Sequence, residues 1–167
     1  MKAYGILVWG LLLTASAAHA QISAPKERVR LDMTAEKKIV AAQSGKETWQ
    51  LLADKTFVEP ANILRYTVRG VNQSPRPVAN LVVTQPIPVG TAFLARSAST
   101  LGGAAPLFSI DNGKTFAAKP VQTTTLPNGK VVRKPAPPEA YTHVRWMYRG
   151  VLAPQAVVQA TYQVRVR

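Results

Sequence analysis

One lone histidine, a thin scatter of acids and a surplus of guanidinium groups make up this chain's chemically capable side chains. Past His19, His143 is the only histidine, and no position holds a cysteine. A metal centre or a nucleophile–base pair needs at least one further group of that kind, so His143 reads as a strand residue with an ordinary hydrogen bond. Glu27, Asp32, Glu36, Glu47, Asp54, Glu59, Asp111 and Glu139 are spread over turns and strand ends, without the close alternation of a calcium loop. No local pattern sets two of them up as a glycosidase pair. Asp111-Asn112-Gly113 offers one carboxylate where calcium needs several, and it reads as a turn. Leu101-Gly102-Gly103-Ala104-Ala105 lacks the Lys-Ser/Thr of a phosphate loop and the spacing of a dinucleotide fingerprint, which leaves a flexible loop. Asn72-Gln73-Ser74 matches a glycosylation pattern, but Pro75 follows at once and the segment reads as turn chemistry. The sequence therefore gives no catalytic residue, no metal ligand set and no cofactor site. A non-enzymatic protein is expected, with an envelope-glycan hydrolase as the remote alternative.

The basic groups are the stronger signal. Lys and Arg number 21 against 8 Asp and Glu, a formal charge of +13. That balance favours anionic partners such as lipopolysaccharide, acidic glycans or phosphate-bearing wall polymers, or it serves only to keep the chain soluble. Alternation sends Arg145, Arg149, Arg165 and Arg167 away from the core. If the last two strands pair, these four form one outward patch suited to phosphate or carboxylate groups. Trp49, Trp146, Tyr66 and Tyr162 could make an aromatic ligand face. All but Trp49 fall on inward strand positions, where core packing is the better reading.

The compartment comes from residues 1–20. Lys2, the apolar run Ile6–Leu13 and Ala18-His19-Ala20 have the order of a cleavable secretory signal, with Gln21 as the expected mature N-terminus. The apolar run is too short to span a bilayer. Export to the periplasm or cell surface is expected, which makes nucleic acid the least fitting anionic partner. Peripheral membrane association and self-association are both compatible with the sequence.

Strands must position these groups. Glu27–Met33 alternates apolar and polar residues, Lys37–Ala42 and Thr48–Ala53 flank Ser44-Gly45-Lys46 as a hairpin, and Ile63–Val71 alternates again. Val78–Thr84 and Thr91–Ser97 follow on either side of Pro86-Ile87-Pro88-Val89-Gly90. Leu126-Pro127-Asn128-Gly129 joins the β-prone runs Val121–Thr125 and Lys130–Arg133. Lys134–Pro138 reads as a stiff linker. Tyr141–Arg149 and Val157–Arg167 close the chain. About eight short strands with almost no helical periodicity predict an all-β antiparallel sandwich.

Phe57–Arg167 also resembles a bacterial family named domain of unknown function eleven, immunoglobulin-like repeats of surface and envelope proteins. The resemblance rests on Val58–Asn62 before Leu64–Val68, on Val71–Leu81 with its Asn72 and Pro77, and on Pro86–Thr91. Ser109–Phe116 and Trp146–Val166 complete it. It departs where the family carries Pro-Gly-Asp and this chain has Pro60-Ala61-Asn62, and where Asn-Thr-Gly becomes Asn72-Gln73-Ser74. It implies an immunoglobulin-like sandwich over 57–167, preceded by a signal peptide (1–20) and an N-terminal strand and hairpin extension (21–56). The implied setting is the cell envelope, and the implied role is a structural or adhesion-type module contacting an envelope protein or an anionic envelope polymer. A subunit that polymerises through edge strands is the alternative.

Overall fold

The computed structural model describes residues 28–53 and 56–167; the expected signal peptide and cleavage site, Glu27, Asp54 and Lys55 lie outside the described residues. Alternating segments become strands, in chain order β1 (Val29–Val40), β2 (Glu47–Leu51), β3 (Ile63–Asn72), β4 (Val78–Ala79), β5 (Val82–Pro86), β6 (Thr91–Phe93) and β7 (Ser99–Leu101). They continue with β8 (Pro106–Ser109), β9 (Val121–Thr125), β10 (Val131–Pro135), β11 (His143–Met147), β12 (Val151–Leu152) and β13 (Val157–Val166). The larger sheet has the order β2-β1-β3-β13-β6, with β7 also on β13, and the smaller has the order β5-β11-β8. Every pairing is antiparallel.

Period-two alternation builds the core between these two sheets. Leu64 and Val68 of β3, Val158, Ala160, Tyr162 and Val164 of β13, Val144 and Trp146 of β11, and Val83 of β5 are buried in one cluster. Tyr66 and Leu81 pack against it. The sandwich and its expected core residues are thus as the alternation requires. Tyr162 stacks on Tyr66 at 5.3 Å between centroids and donates its hydroxyl to the Pro86 carbonyl at 3.1 Å. With no cysteine to cross-link it, the fold depends on this burial.

The turns follow the sequence closely. Gly45, Asn112, Gly113 and Gly129 adopt positive φ at the expected turns. Asp111 closes its loop by accepting from the Ser109 and Thr115 hydroxyls, each at 2.6 Å. Those bonds hold its carboxyl well below the usual carboxylate range.

Val78–Thr84 is not one strand: β4 pairs with β12 and β5 with β11, and Asn80 at positive φ breaks the run between them. Three further expectations change. Glu27–Met33 and Lys37–Ala42 are not separate elements: from Val29 to Val40 the chain is one strand, because β3 offers a continuous ladder from Asn72 to Leu64. The linker is shorter than expected, since β10 runs to Pro135 and a 3₁₀ turn takes Pro138–Ala140. The third concerns the last two long strands, which do not pair. β11 lies between β5 and β8, whereas β13 lies beside β3 in the opposite sheet. The link through Val151–Ala156 crosses the sandwich instead of turning a hairpin. Asn72 fastens that crossing. Fully buried, it donates from Nδ2 to the Leu152 and Arg76 carbonyls and accepts at Oδ1 from the Ser74 amide and hydroxyl.

Candidate binding face

Directly opposed residues in an antiparallel pair project to the same side, so the registers assign the faces. Lys38 opposes Trp49 and Glu36 opposes Leu51; Glu36 also opposes Arg65, and Thr34 opposes Thr67. Across β3, Arg65, Thr67 and Arg69 oppose Gln163, Thr161 and Gln159. The core residues of β3 and β13 occupy the other parity. All of these side chains therefore share the outer face of the larger sheet.

At the centre of this face Arg65 is fixed from two directions. Its Nε and Nη2 both donate to Glu36 Oε2 at 2.8 Å, and its guanidinium carbon lies 4.2 Å from the centroid of the Trp49 ring. Stacking on an aromatic face leaves the remaining guanidinium N–H groups free to donate to further acceptors. Beside it runs a shallow groove of about 340 Å³, lined by Thr34, Glu36, Leu51, Arg65, Thr67, Gln159 and Thr161. Lys38 pairs with Glu47 at one margin. Arg69 and Arg165 stand exposed on the same face. Hydroxyls, amides, a held guanidinium and an aromatic ring on a flat open surface can hydrogen-bond and stack with a polyhydroxylated chain. The arrangement offers no nucleophile with an adjacent base.

The four arginines read from sequence as one patch are dispersed. Arg145 faces outward from the smaller sheet, donating from Nε to Thr84 Oγ1 at 2.9 Å, with its guanidinium 3.6 Å from the Phe116 ring centroid. Arg165 is on the outer face of the larger sheet, opposite Ile63. Arg149 borders a groove with Gly102 and Gly103 beyond the end of β11. Arg167 donates from Nη2 to the Glu139 carbonyl at 2.7 Å. Alternation correctly turns Arg145 and Arg165 away from the core, but in opposite directions, because their strands belong to sheets stacked about 10 Å apart.

Comparison with family models, with curated proteins and with solved structures finds no match to this chain.

Other sequence candidates take structural positions. His143 shares a 3.2 Å hydrogen bond with Thr142 Oγ1, and its ring packs beside Gly113. No group of three metal-capable side chains gathers among the described residues. Trp146 and Tyr162 are core, and Trp49 alone of the four aromatics reaches the candidate face. The Glu36–Arg65 pair went unread in the sequence, since 29 positions separate its members. Only the β1–β3 register brings them together.

Proposed function

We propose that this chain is an exported, non-enzymatic interaction module of the cell envelope that holds an anionic envelope polymer on the outer face of its larger sheet. The carrying observation is the groove in which Arg65, clamped by Glu36 and Trp49, stands among Thr67, Gln159 and Thr161, with Arg69 and Arg165 beside it. The groove supplies hydrogen bonds to ring hydroxyls, and the two exposed guanidinium groups supply attraction to carboxylate or phosphate. The disposition of the acids supports a binding role. Asp32 is paired with Arg30, Glu36 with Arg65 and Glu47 with Lys38, while Asp111 is consumed by its own turn. The sequence resemblance to envelope repeats and the signal-like residues 1–20 support the location.

Binding of the mature chain, Gln21–Arg167, to an immobilised polyuronate tests the reading. Affinity should fall as salt rises, as screening requires. Arg65→Gln combined with Trp49→Ala should weaken it by about tenfold or more, a loss of about 1.4 kcal/mol. Arg133→Gln with Lys134→Gln, on the β9–β10 ribbon, removes two positive charges against one and should matter much less. Equal losses from both pairs, or no binding at low salt, would overturn the assignment.

A further inference from the structure

The edge of β1 is unfinished. β2 covers only Glu36–Val40 of that strand, so among the described residues Val29–Thr34 has a ladder neighbour on the β3 side alone. The parity of its free groups follows from two bonds. Gln73 N–H donates to the Arg28 carbonyl, which turns the even residues of β1 toward β3. Leu52 N–H donates to the Ala35 carbonyl, which turns the odd residues the other way. The amides and carbonyls of Val29, Leu31 and Met33 therefore point outward from the sheet in its own plane. Their side chains share the core-facing side, yet Leu31 is 48% and Met33 58% exposed. The comparable edge of β5 is blunted, because its outward parity includes Pro86, which has no N–H.

We propose that this edge pairs antiparallel with the same edge of a second copy, about a two-fold axis at Leu31. Hydrogen bonding requires odd residues to oppose odd residues, which limits the register to few choices. Centring on Arg30 sets arginine against arginine, and centring on Asp32 sets aspartate against aspartate, both unfavourable in directly opposed positions. Centring on Leu31 sets Arg30 of each copy against Asp32 of the other on the outer face. On the core side it sets Leu31 against Leu31 and Val29 against Met33, which covers the exposed apolar pair. The contact uses one patch twice and closes at two copies, so it makes a dimer and no fibre. Its two larger sheets become one, with both outer faces on the same side. The inference does not depend on the polymer reading, and its test contains no polymer.

Sedimentation equilibrium of the mature chain should show a monomer–dimer equilibrium and no larger species. Leu31→Lys places like charges at the axis and should raise the dissociation constant by at least about tenfold, with unchanged circular dichroism and, at dilutions where both chains are monomeric, an unchanged melting temperature. Arg30→Asp should weaken the dimer, and adding Asp32→Arg should restore it. Register is read by oxidation, since the chain has no native cysteine. Residues opposed in a hydrogen-bonded pair have Cα atoms about 5.5 Å apart, within bridging range. Leu31→Cys should therefore cross-link the dimer. Met33→Cys should not, because the two copies of that position lie roughly 13 Å apart along the strands. A monomer at every concentration, a dimer indifferent to Leu31→Lys, growth beyond two copies, or cross-linking at position 33 in preference to 31 would each overturn the proposal.

Discussion

Replacing Asn72 by aspartate changes one NH₂ to oxygen at a site with no room for the change. Both Nδ2 protons are in use, at 2.8 Å to the Arg76 carbonyl and 2.9 Å to the Leu152 carbonyl, and the side chain is 0% exposed. The variant keeps its shape but turns a carboxylate oxygen toward two carbonyl oxygens. An unsatisfied buried acceptor costs about 1–3 kcal/mol, and two of them facing a buried charge set the loss at about 3–5 kcal/mol at pH 7. The loss should depend on pH. Burial and the opposed carbonyls raise the folded-state pKa of the new acid above its unfolded value of about 3.9. With a raised folded pKa, stability is fully present below the unfolded value and is lost as pH rises through the folded one. The deficit relative to the parent should therefore shrink on going from pH 7 to pH 4, where the protonated acid can again donate to one carbonyl. Urea unfolding followed by circular dichroism at both pH values measures it, with Asn112→Asp in an exposed turn as a control expected to stay within about 0.5 kcal/mol. A deficit under about 1 kcal/mol at pH 7, or one that does not change with pH, would show that Asn72 is a solvated turn residue and refute the argument.

Trp146→Ala empties the centre of the core and should cost about 3–5 kcal/mol by urea unfolding; a loss below about 1 kcal/mol would place the side chain at the surface. Burial raises the phenol pKa values of Tyr66, Tyr148 and Tyr162, and for Tyr141 burial is joined by the Glu139 charge. Since the folded values lie above the ordinary value of about 10, stability should hold below that pH and fall as pH rises past it. Phenolate absorbance should then appear together with unfolding, and half-ionisation of the tyrosines at about pH 10 with native circular dichroism would contradict this burial. Intact mass of the exported protein should correspond to a chain beginning at Gln21, and retention of residues 1–20 would remove the envelope assignment.

Alternation made the in-or-out assignment of Tyr66, Val68, Val83, Trp146, Tyr162 and Val164 readable, because burial on one side imprints a period of two on each strand. The hairpin turns at Gly45 and Asn128-Gly129 were readable for a similarly local reason, the low cost of positive φ at glycine. Sheet membership was not. Nothing in Tyr141–Arg149 or Val157–Arg167 states which neighbour each strand takes, and both placements give the same alternation. Hence Arg145 and Arg165 could be assigned outward correctly and still be put on the wrong common face. Asn72 misled in a different way, since the same residue type suits an exposed turn and a buried bracket between strands. The Trp49–Arg65–Glu36 cluster depends on two registers at once, and register is a property of long-range pairing that no short window contains.

On the proposed function, the outer face of the larger sheet, and not net charge alone, holds the polymer. Titrating isotope-labelled mature chain with a soluble polyuronate, and following backbone amides and the Trp49 indole by NMR, tests this most directly. Shifts should concentrate at Trp49, Arg65, Thr67, Gln159 and Thr161. Shifts spread evenly over all lysines and arginines, or centred on the β9–β10 ribbon or on Arg145 of the smaller sheet, would contradict it.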